Sequence, residues 1–372
     1  MLGQLACLHV LLAAAPGTGG GHFPVVWNSK WPQDCADDGA PVTNRRAALL
    51  ASFGVMTNAG AGYYGPAAND SINTMGAFGL WPHITSDGSR FNGGIPQRGN
   101  LSLHLERVRQ DIERYMPSPL WAGAAVIDFE EWHPVYDANN YGPSGVIHAD
   151  YRNESRVWVR TRNPNWTADA VEEEARHEFN AAAQSFMEQT LLLGKALRPH
   201  ASWGYYGFPG CGKWRDETVC PRVGKGGGTA ANDQLGWLWR ASDALYPGIY
   251  LCCSTDHAAR NASFVRAEMQ EAHRVMAAVS VSLRIVPYIW PDWEDQPGLF
   301  MNRSTLEMLL STIVEQGADG LVIWGAKPDA VPGEKCEEFE SWLNATLGPL
   351  LEALPAHPSR WKSDEDDVNV LP

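Results

Sequence analysis

Short apolar runs alternate along this chain with longer stretches whose apolar residues recur at helical spacing. The runs lie at 23–27, 52–57, 122–129, 202–207, 248–252, 284–289 and 319–324, and they use the small, β-branched and aromatic residues of buried strands. After Asn100, Leu101, Leu105, Val108, Ile112 and Tyr115 recur at steps of three or four and predict an amphipathic helix. The longest helix is predicted over 167–197, with Val171, Ala175, Phe179, Ala182, Phe186 and Leu193 on one stripe and Pro199 beyond its end. Another starts at a capping box of Ser304 and Glu307 and stops at Gly317. Strand and helix in alternation imply a parallel sheet, and this many units in one domain favour closure. The expected fold class is α/β, a (β/α) TIM-like barrel in a single domain without internal repeats.

One run ends abruptly in acid. Residues 124–132 read Ala-Ala-Val-Ile-Asp-Phe-Glu-Glu-Trp. Side chains two apart on a strand point to the same side, so Asp128 and Glu130 share a face and Phe129 packs the other way. Carboxylates at the C-terminal end of a barrel strand read as catalytic; a strand end or helix cap that is merely acidic is the plainer alternative.

Composition narrows the setting. The 372 residues suit one large barrel domain, and 16 Trp exceed what one core normally requires, which leaves some to line a groove. A net charge of −14 argues against nucleic acid as a partner. Residues 1–21, with an apolar stretch from Leu5 to Ala15, read as a signal peptide, 22–355 as the barrel domain and 356–372 as a short, acidic, flexible tail. No later segment approaches the roughly 20 apolar residues of a membrane span, so no membrane anchor is expected. Sequons at Asn69, Asn100, Asn153, Asn165, Asn261, Asn302 and Asn344 favour passage through a glycosylating lumen, hence a secreted or lysosomal protein.

With Cys7 assigned to the signal peptide, an even number of cysteines remains for an oxidising compartment. Cys211 and Cys220 are close enough to staple one loop, and Cys35 with Cys336 could tie the ends of the domain together. Cys252 and Cys253 are expected as buried thiols rather than a vicinal bridge. His177-Glu178 begins a zinc-protease-like pattern, but Ala181 stands where the second His is needed, so no metal is expected. The glycine-rich 224–228 lacks the Lys-Ser or Lys-Thr pair of a phosphate loop, and no G-x-S-x-G is present. No cofactor follows from any of these patterns.

Further clusters carry a family resemblance. They are Trp203-Gly-Tyr-Tyr-Gly-Phe-Pro209, Asn232-Asp-Gln-Leu-Gly-Trp-Leu-Trp239 with Ala244-Leu-Tyr-Pro247, and Gly320-Leu-Val-Ile-Trp324. Together with Val126-Ile-Asp-Phe-Glu-Glu-Trp132, Val26-Trp-Asn28 and Gly94-Ile-Pro-Gln97, they make the chain resemble the hyaluronidases of the animal and venom type, from about Phe23 to Leu350. The resemblance implies a distorted (β/α) barrel cleaving β-linked N-acetylhexosaminide bonds in hyaluronan and often chondroitin; a monomer is expected. It also implies Glu130 as acid/base with Asp128 as its partner, Tyr206, Tyr246 and Trp324 as sugar-holding residues, and Cys35–Cys336 and Cys211–Cys220 as bridges.

Spacing adds a mechanistic expectation. Carboxylates two apart on one strand approach a bond from the same side, so Asp128 is poorly placed as a nucleophile. Attack by the substrate's own acetamido oxygen removes the need for one. Two departures bear on binding: His133 stands where the family usually has Arg, and Trp81 where vertebrate members commonly have Tyr. His133 in place of a fixed cation implies weaker or acid-confined activity. The competing expectations are a glycosaminoglycan-binding protein of the same fold with weak or no catalysis, and an enzyme acting mainly on chondroitin. An acidic chain also needs a locally basic groove for an acidic polymer; Arg45, Arg46, Arg90, Arg98 and Arg240 are candidates whose default is exposed surface.

Overall fold

The computed structural model describes residues 23–28, 43–57, 72–75, 78–139, 147–212, 219–222, 227–252, 258–324 and 336–355. The expected signal peptide and acidic tail lie outside these residues, as do Asn69, Cys35 and Cys253.

In chain order the strands are β1 (Val25–Trp27), β2 (Met56–Thr57), β3 (Ile72–Met75), β4 (His83–Ile84), β5 (Arg90–Phe91), β6 (Ala124–Ile127), β7 (Ser202–Tyr205), β8 (Ala244–Leu245), β9 (Gly248–Ile249), β10 (Arg284–Ile285), β11 (Tyr288–Ile289), β12 (Asp292–Trp293), β13 (Gln296–Phe300) and β14 (Leu321–Ile323). The main helices are α1 (Thr43–Ser52), α2 (Leu101–Tyr115), α3 (Ile147–Arg162), α4 (Ala168–Leu197), α5 (Thr229–Asn232), α6 (Gly236–Ala241), α7 (Ala258–Val279), α8 (Arg303–Glu315) and α9 (Cys336–Trp342).

The parallel strands form a ring. One sheet runs β2-β1-β14-β11-β9 and another β3-β6-β7, while β8 pairs with β10. The two large sheets are joined where Tyr206 bridges Tyr246 and the Gly207 amide donates to the Tyr246 carbonyl at 2.9 Å. Between β2 and β3 no ladder forms among the described residues; there Asn28 Nδ2 donates to Thr74 Oγ1 at 2.5 Å. First and last strands are neighbours, Val25 opposite Leu321, as closure of a β/α barrel requires. The small hairpins β4-β5 and β12-β13 are antiparallel additions.

Strand alternation sorts the core into two layers. Val26, Ile72, Ala124, Val126, Ala244, Val286 and Val322 fill the barrel interior. Their chain neighbours Val25, Trp27, Ala125, Ile127, Leu245, Ile285, Leu321 and Ile323 face outward onto the helices, against Val108, Phe179, Phe186 and Met269. Strands covered on both faces explain why the sequence shows continuous apolar runs instead of alternation.

Several boundaries differ from expectation, each for a local reason. The run 284–289 divides into β10 and β11 at Val286-Pro287, because proline has no amide for the ladder. Residues 52–57 are strand only from Met56: the chain is helical to Ser52 and turns at Gly54, whose φ is +74°. Asn73 and Thr74 made β3 look polar; both are buried. Asn302, not Ser304, caps α8, accepting from the Thr305 amide at 2.9 Å, while Glu307 pairs with Arg303. On α4 the buried stripe passes through Ala183, Met187 and Leu191, not Ala182 and Leu193, because a long helix rotates away from any fixed repeat.

Candidate active site

The layer rule delivers the acidic pair to the mouth of the barrel. Ala124 and Val126 point inward, so Asp128 and Glu130, continuing the same parity beyond β6, point inward too. They line a cavity of about 210 Å³ together with Thr74, Tyr206, Tyr250, Tyr288, Trp290, Glu294 and Trp324. These residues come from the C-terminal ends of β3, β6, β7, β9, β11 and β14 and from the β12–β13 turn.

Tyrosines make much of the wall. Tyr206 and Tyr288 meet edge to face with centroids 5.1 Å apart, and Tyr206 stacks toward Tyr250 at 6.2 Å. Tyr288 Oη lies 3.2 Å from Thr74 Oγ1, which holds Asn28 in turn. Burial pushes the Tyr206 hydroxyl well above its ordinary range, and the negative charges of Glu130 and Asp128 push it the same way. Burial also raises Tyr250, with the neighbouring Tyr206 adding to the effect. Burial raises Tyr288, and Asp128 reinforces the shift. These phenols therefore stay protonated and remain donors.

Asp128, Glu130, Tyr206 and Trp324 are thus brought together, whereas three other expected residues are not. Tyr246 faces the barrel interior but one layer down, fully buried, its hydroxyl donating to the Ser202 carbonyl at 2.7 Å. Tyr250, four residues on, takes the wall position. Trp81 packs on the outer side of the acidic segment, stacked on Phe129 at 4.3 Å, and lines a different cavity with Phe78, His83, Phe91, Asn92 and Glu131. His133 is turned into its own loop, Nδ1 accepting from the Val135 amide at 3.0 Å and the ring 5.4 Å from Phe208. Tyr205 is likewise outward, its hydroxyl on the Met187 carbonyl.

Thr74, Tyr250, Tyr288, Trp290 and Glu294 were not singled out in the sequence. Inward parity counted along the strands finds Tyr288, and counted past their ends it finds Tyr250 and Trp290. Nearby, Cys211 and Cys220 form a disulfide after β7, and Cys252 is a buried thiol; Cys336 lies on α9, and its expected partner Cys35 is outside the described residues. Of the sequons, Asn100, Asn153, Asn165, Asn302 and Asn344 are exposed. Asn261 is buried on α7. Among the described residues no group of His, Cys, Asp and Glu is placed to hold a metal ion, and no helix is long and apolar enough to cross a membrane.

An inward carboxylate pair within an aromatic cavity at the C-terminal mouth of a barrel is an arrangement for sugar chemistry. The sequence model of the hyaluronidase family matches residues 13–358. This chain belongs to the hyaluronidase family. It is accordingly a glycoside hydrolase. Hyaluronidase-1 of Sus scrofa is 35% identical over 335 residues, 88% of this chain and 73% of the relative. The Crotalus adamanteus hyaluronidase is 34% identical over 92% of this chain and 74% of its own length. Bee venom hyaluronidase in complex with a hyaluronic acid tetramer superposes with a TM-score of 0.75 at 29% identity, covering 89% of this chain and 99% of that one. A hyaluronidase fold is thus common to chains that differ at most positions.

Proposed function

We propose that the protein hydrolyses β-linked N-acetylhexosaminide bonds within hyaluronan, with unsulfated chondroitin as an additional substrate, by a substrate-assisted, retaining mechanism. The observation that carries this reading is the emergence of Asp128 and Glu130 from one strand onto one wall of a tyrosine- and tryptophan-lined cavity. The family membership and the hyaluronic acid bound by the bee venom relative support the substrate. The exposed sequons and the Cys211–Cys220 bridge support a secreted or lysosomal placement.

In this scheme Glu130 gives its proton to the glycosidic oxygen as the C1–O bond breaks. The substrate's acetamido oxygen attacks C1 from the opposite side and closes a cyclic oxazolinium. Asp128 holds the acetamide nitrogen and faces the positive charge that develops there. Water then adds to C1, Glu130 takes its proton, and the ring reopens with net retention. Two inversions at C1 restore the starting configuration. Trp324 and the tyrosines supply the flat and hydrogen-bonding walls that orient the sugar.

Glu294 motivates a second reading. It adds another carboxylate to the cavity from a different element, as a conventional retaining pair would need. Reducing-end release from hyaluronan and unsulfated chondroitin, followed from acidic to neutral pH, separates the possibilities. Glu130→Gln is expected to bind substrate and release no ends, while Glu294→Gln keeps measurable turnover. Abolished turnover in Glu294→Gln moves the nucleophile to Glu294. Wild type and Glu130→Gln binding alike with no release from either would leave a glycan-binding protein in place of an enzyme.

A further inference from the structure

The cavity on the outer side of Phe129 has no part in the chemistry above, yet at about 310 Å³ it is larger than the active-site cavity of about 210 Å³. Its rim is apolar and open to solvent: Phe91 is 52% exposed, Leu103 48% and Leu80 38%. Exposed apolar side chains scattered singly need no explanation, but three around one hollow mark a surface that something covers.

One exposed residue is tied to that rim from both sides. Asn100, the asparagine of a sequon, caps α2, its Oδ1 accepting from the Leu103 amide at 3.0 Å. Its own amide donates to Asn92 Oδ1 at 2.8 Å, and Asn92 Nδ2 donates to the Leu80 carbonyl at 2.6 Å. Leu80, Asn92 and Leu103 all line the cavity, as does Phe91, the chain neighbour of Asn92. The cap uses Oδ1 and leaves Nδ2, the atom that carries an N-linked sugar, uncommitted among the described residues. One side chain can therefore hold the helix end and a glycan together.

We propose that this cavity is the seat of a glycan on Asn100, whose first N-acetylglucosamine lies over Phe91, Leu103 and Leu80. The inference rests on the secreted or lysosomal placement proposed above. N-acetylglucosamine offers a face of ring C–H groups and an acetamide methyl to apolar and aromatic side chains, while its hydroxyls stay in water. Glu131 is the only formally charged side chain among the described residues that line the cavity, so a neutral core sugar is accommodated and an acidic polymer is not. Covalent attachment makes these contacts intramolecular, so they hold at strengths too weak to retain a free sugar. Phe129 lines this cavity while Asp128 and Glu130 line the other. The sugar thus braces, from behind, the segment that presents the carboxylates.

The full chain is to be produced in an animal-cell secretory host beside Ser102→Ala, which removes the sequon and keeps the Asn100 cap. Mass spectrometry should find Asn100 modified. Loss of the glycan should lower the melting temperature by roughly 2–4 °C in the native chain and by less than half as much when Phe91→Ala is also present. An equal cost in the two backgrounds overturns the proposal. Because Phe91→Ala also removes the stack on His83, Leu103→Ala serves as a second cycle with the same expectation, and an equal cost there overturns it too. Trimming every glycan to its first N-acetylglucosamine should preserve the difference between the native chain and Ser102→Ala; its disappearance places the stabilising contact elsewhere and overturns the proposal. A bare Asn100 beside modified Asn153 or Asn165 overturns this inference alone. No glycan at any exposed sequon would sink the placement as well.

Discussion

Tyr206 and Tyr250 stack side by side in the wall of the barrel mouth with ring centroids 6.2 Å apart, and both hydroxyls are raised by burial and by the charge of Glu130. A proton donor kept donating beside a carboxylate is a device for holding a polar substrate while the acid works. Glu130→Gln removes the transferable proton and leaves this frame intact. Turnover should fall by roughly 10²–10⁴ or more, with oligosaccharide affinity within a few-fold of wild type; comparable turnover would remove Glu130 from the mechanism.

Tyr250 and Tyr246 provide a paired test of which tyrosine meets sugar. Tyr250→Phe should lower kcat/KM by about tenfold with little change in melting temperature. Tyr246→Phe should do the reverse, costing about 1 kcal/mol of stability through the lost bond to the Ser202 carbonyl, with kcat nearly unchanged. Kinetics and thermal melts on both variants decide the assignment.

This pair also marks how far the sequence could be read. Asp128, Glu130, Tyr206 and Trp324 were legible because they sit on or just beyond long apolar runs whose parity can be counted. Tyr246 and Tyr250 share that parity, and choosing between them needs depth along the barrel, which depends on where Pro247 divides the strand. Trp81 and His133 stand where the chain departs from the family pattern, and local packing directs both away from the cavity, Trp81 onto Phe129 and His133 into its own loop. β3 escaped notice because Asn73 and Thr74 are polar, although each is satisfied by partners far away in sequence: Asn73 by the Tyr115 carbonyl and Thr74 by Asn28 and Tyr288.

His104 should make the fold sensitive to acid. It is fully buried, its Nδ1 accepts from the Leu80 amide at 3.0 Å, and burial lowers its pKa to about 4. A group held neutral in the folded state stabilises above the unfolded pKa of about 6.5 and loses that contribution as pH falls toward about 4. The loss is of order 3 kcal/mol. Denaturant unfolding at neutral and mildly acidic pH should show a shallower pH dependence for His104→Gln than for wild type; parallel curves would remove His104 as a source of it.

Cys211–Cys220 closes a loop with a sequence separation of 9 just beyond the Tyr206 strand. Paired replacement by Ala should cost about 2–3 kcal/mol of stability by freeing the unfolded chain. The Cys211 amide still reaches the buried Glu268 carboxylate, so at temperatures below the transition kcat should stay within a few-fold of wild type. Melting curves and initial rates, taken on the same preparation, test both halves of this expectation.

The pairing of β14 with both β1 and β11 bears on how the molecule comes into being on the ribosome. Asp128 and Glu130 leave the exit tunnel long before Trp324, yet the strand that seats Trp324 is also the one that joins the beginning of the barrel to its later half. A nascent chain therefore carries its carboxylates without an enclosing cavity until its last barrel strand arrives. Catalytic competence is delayed, by topology alone, to the closing stage of synthesis.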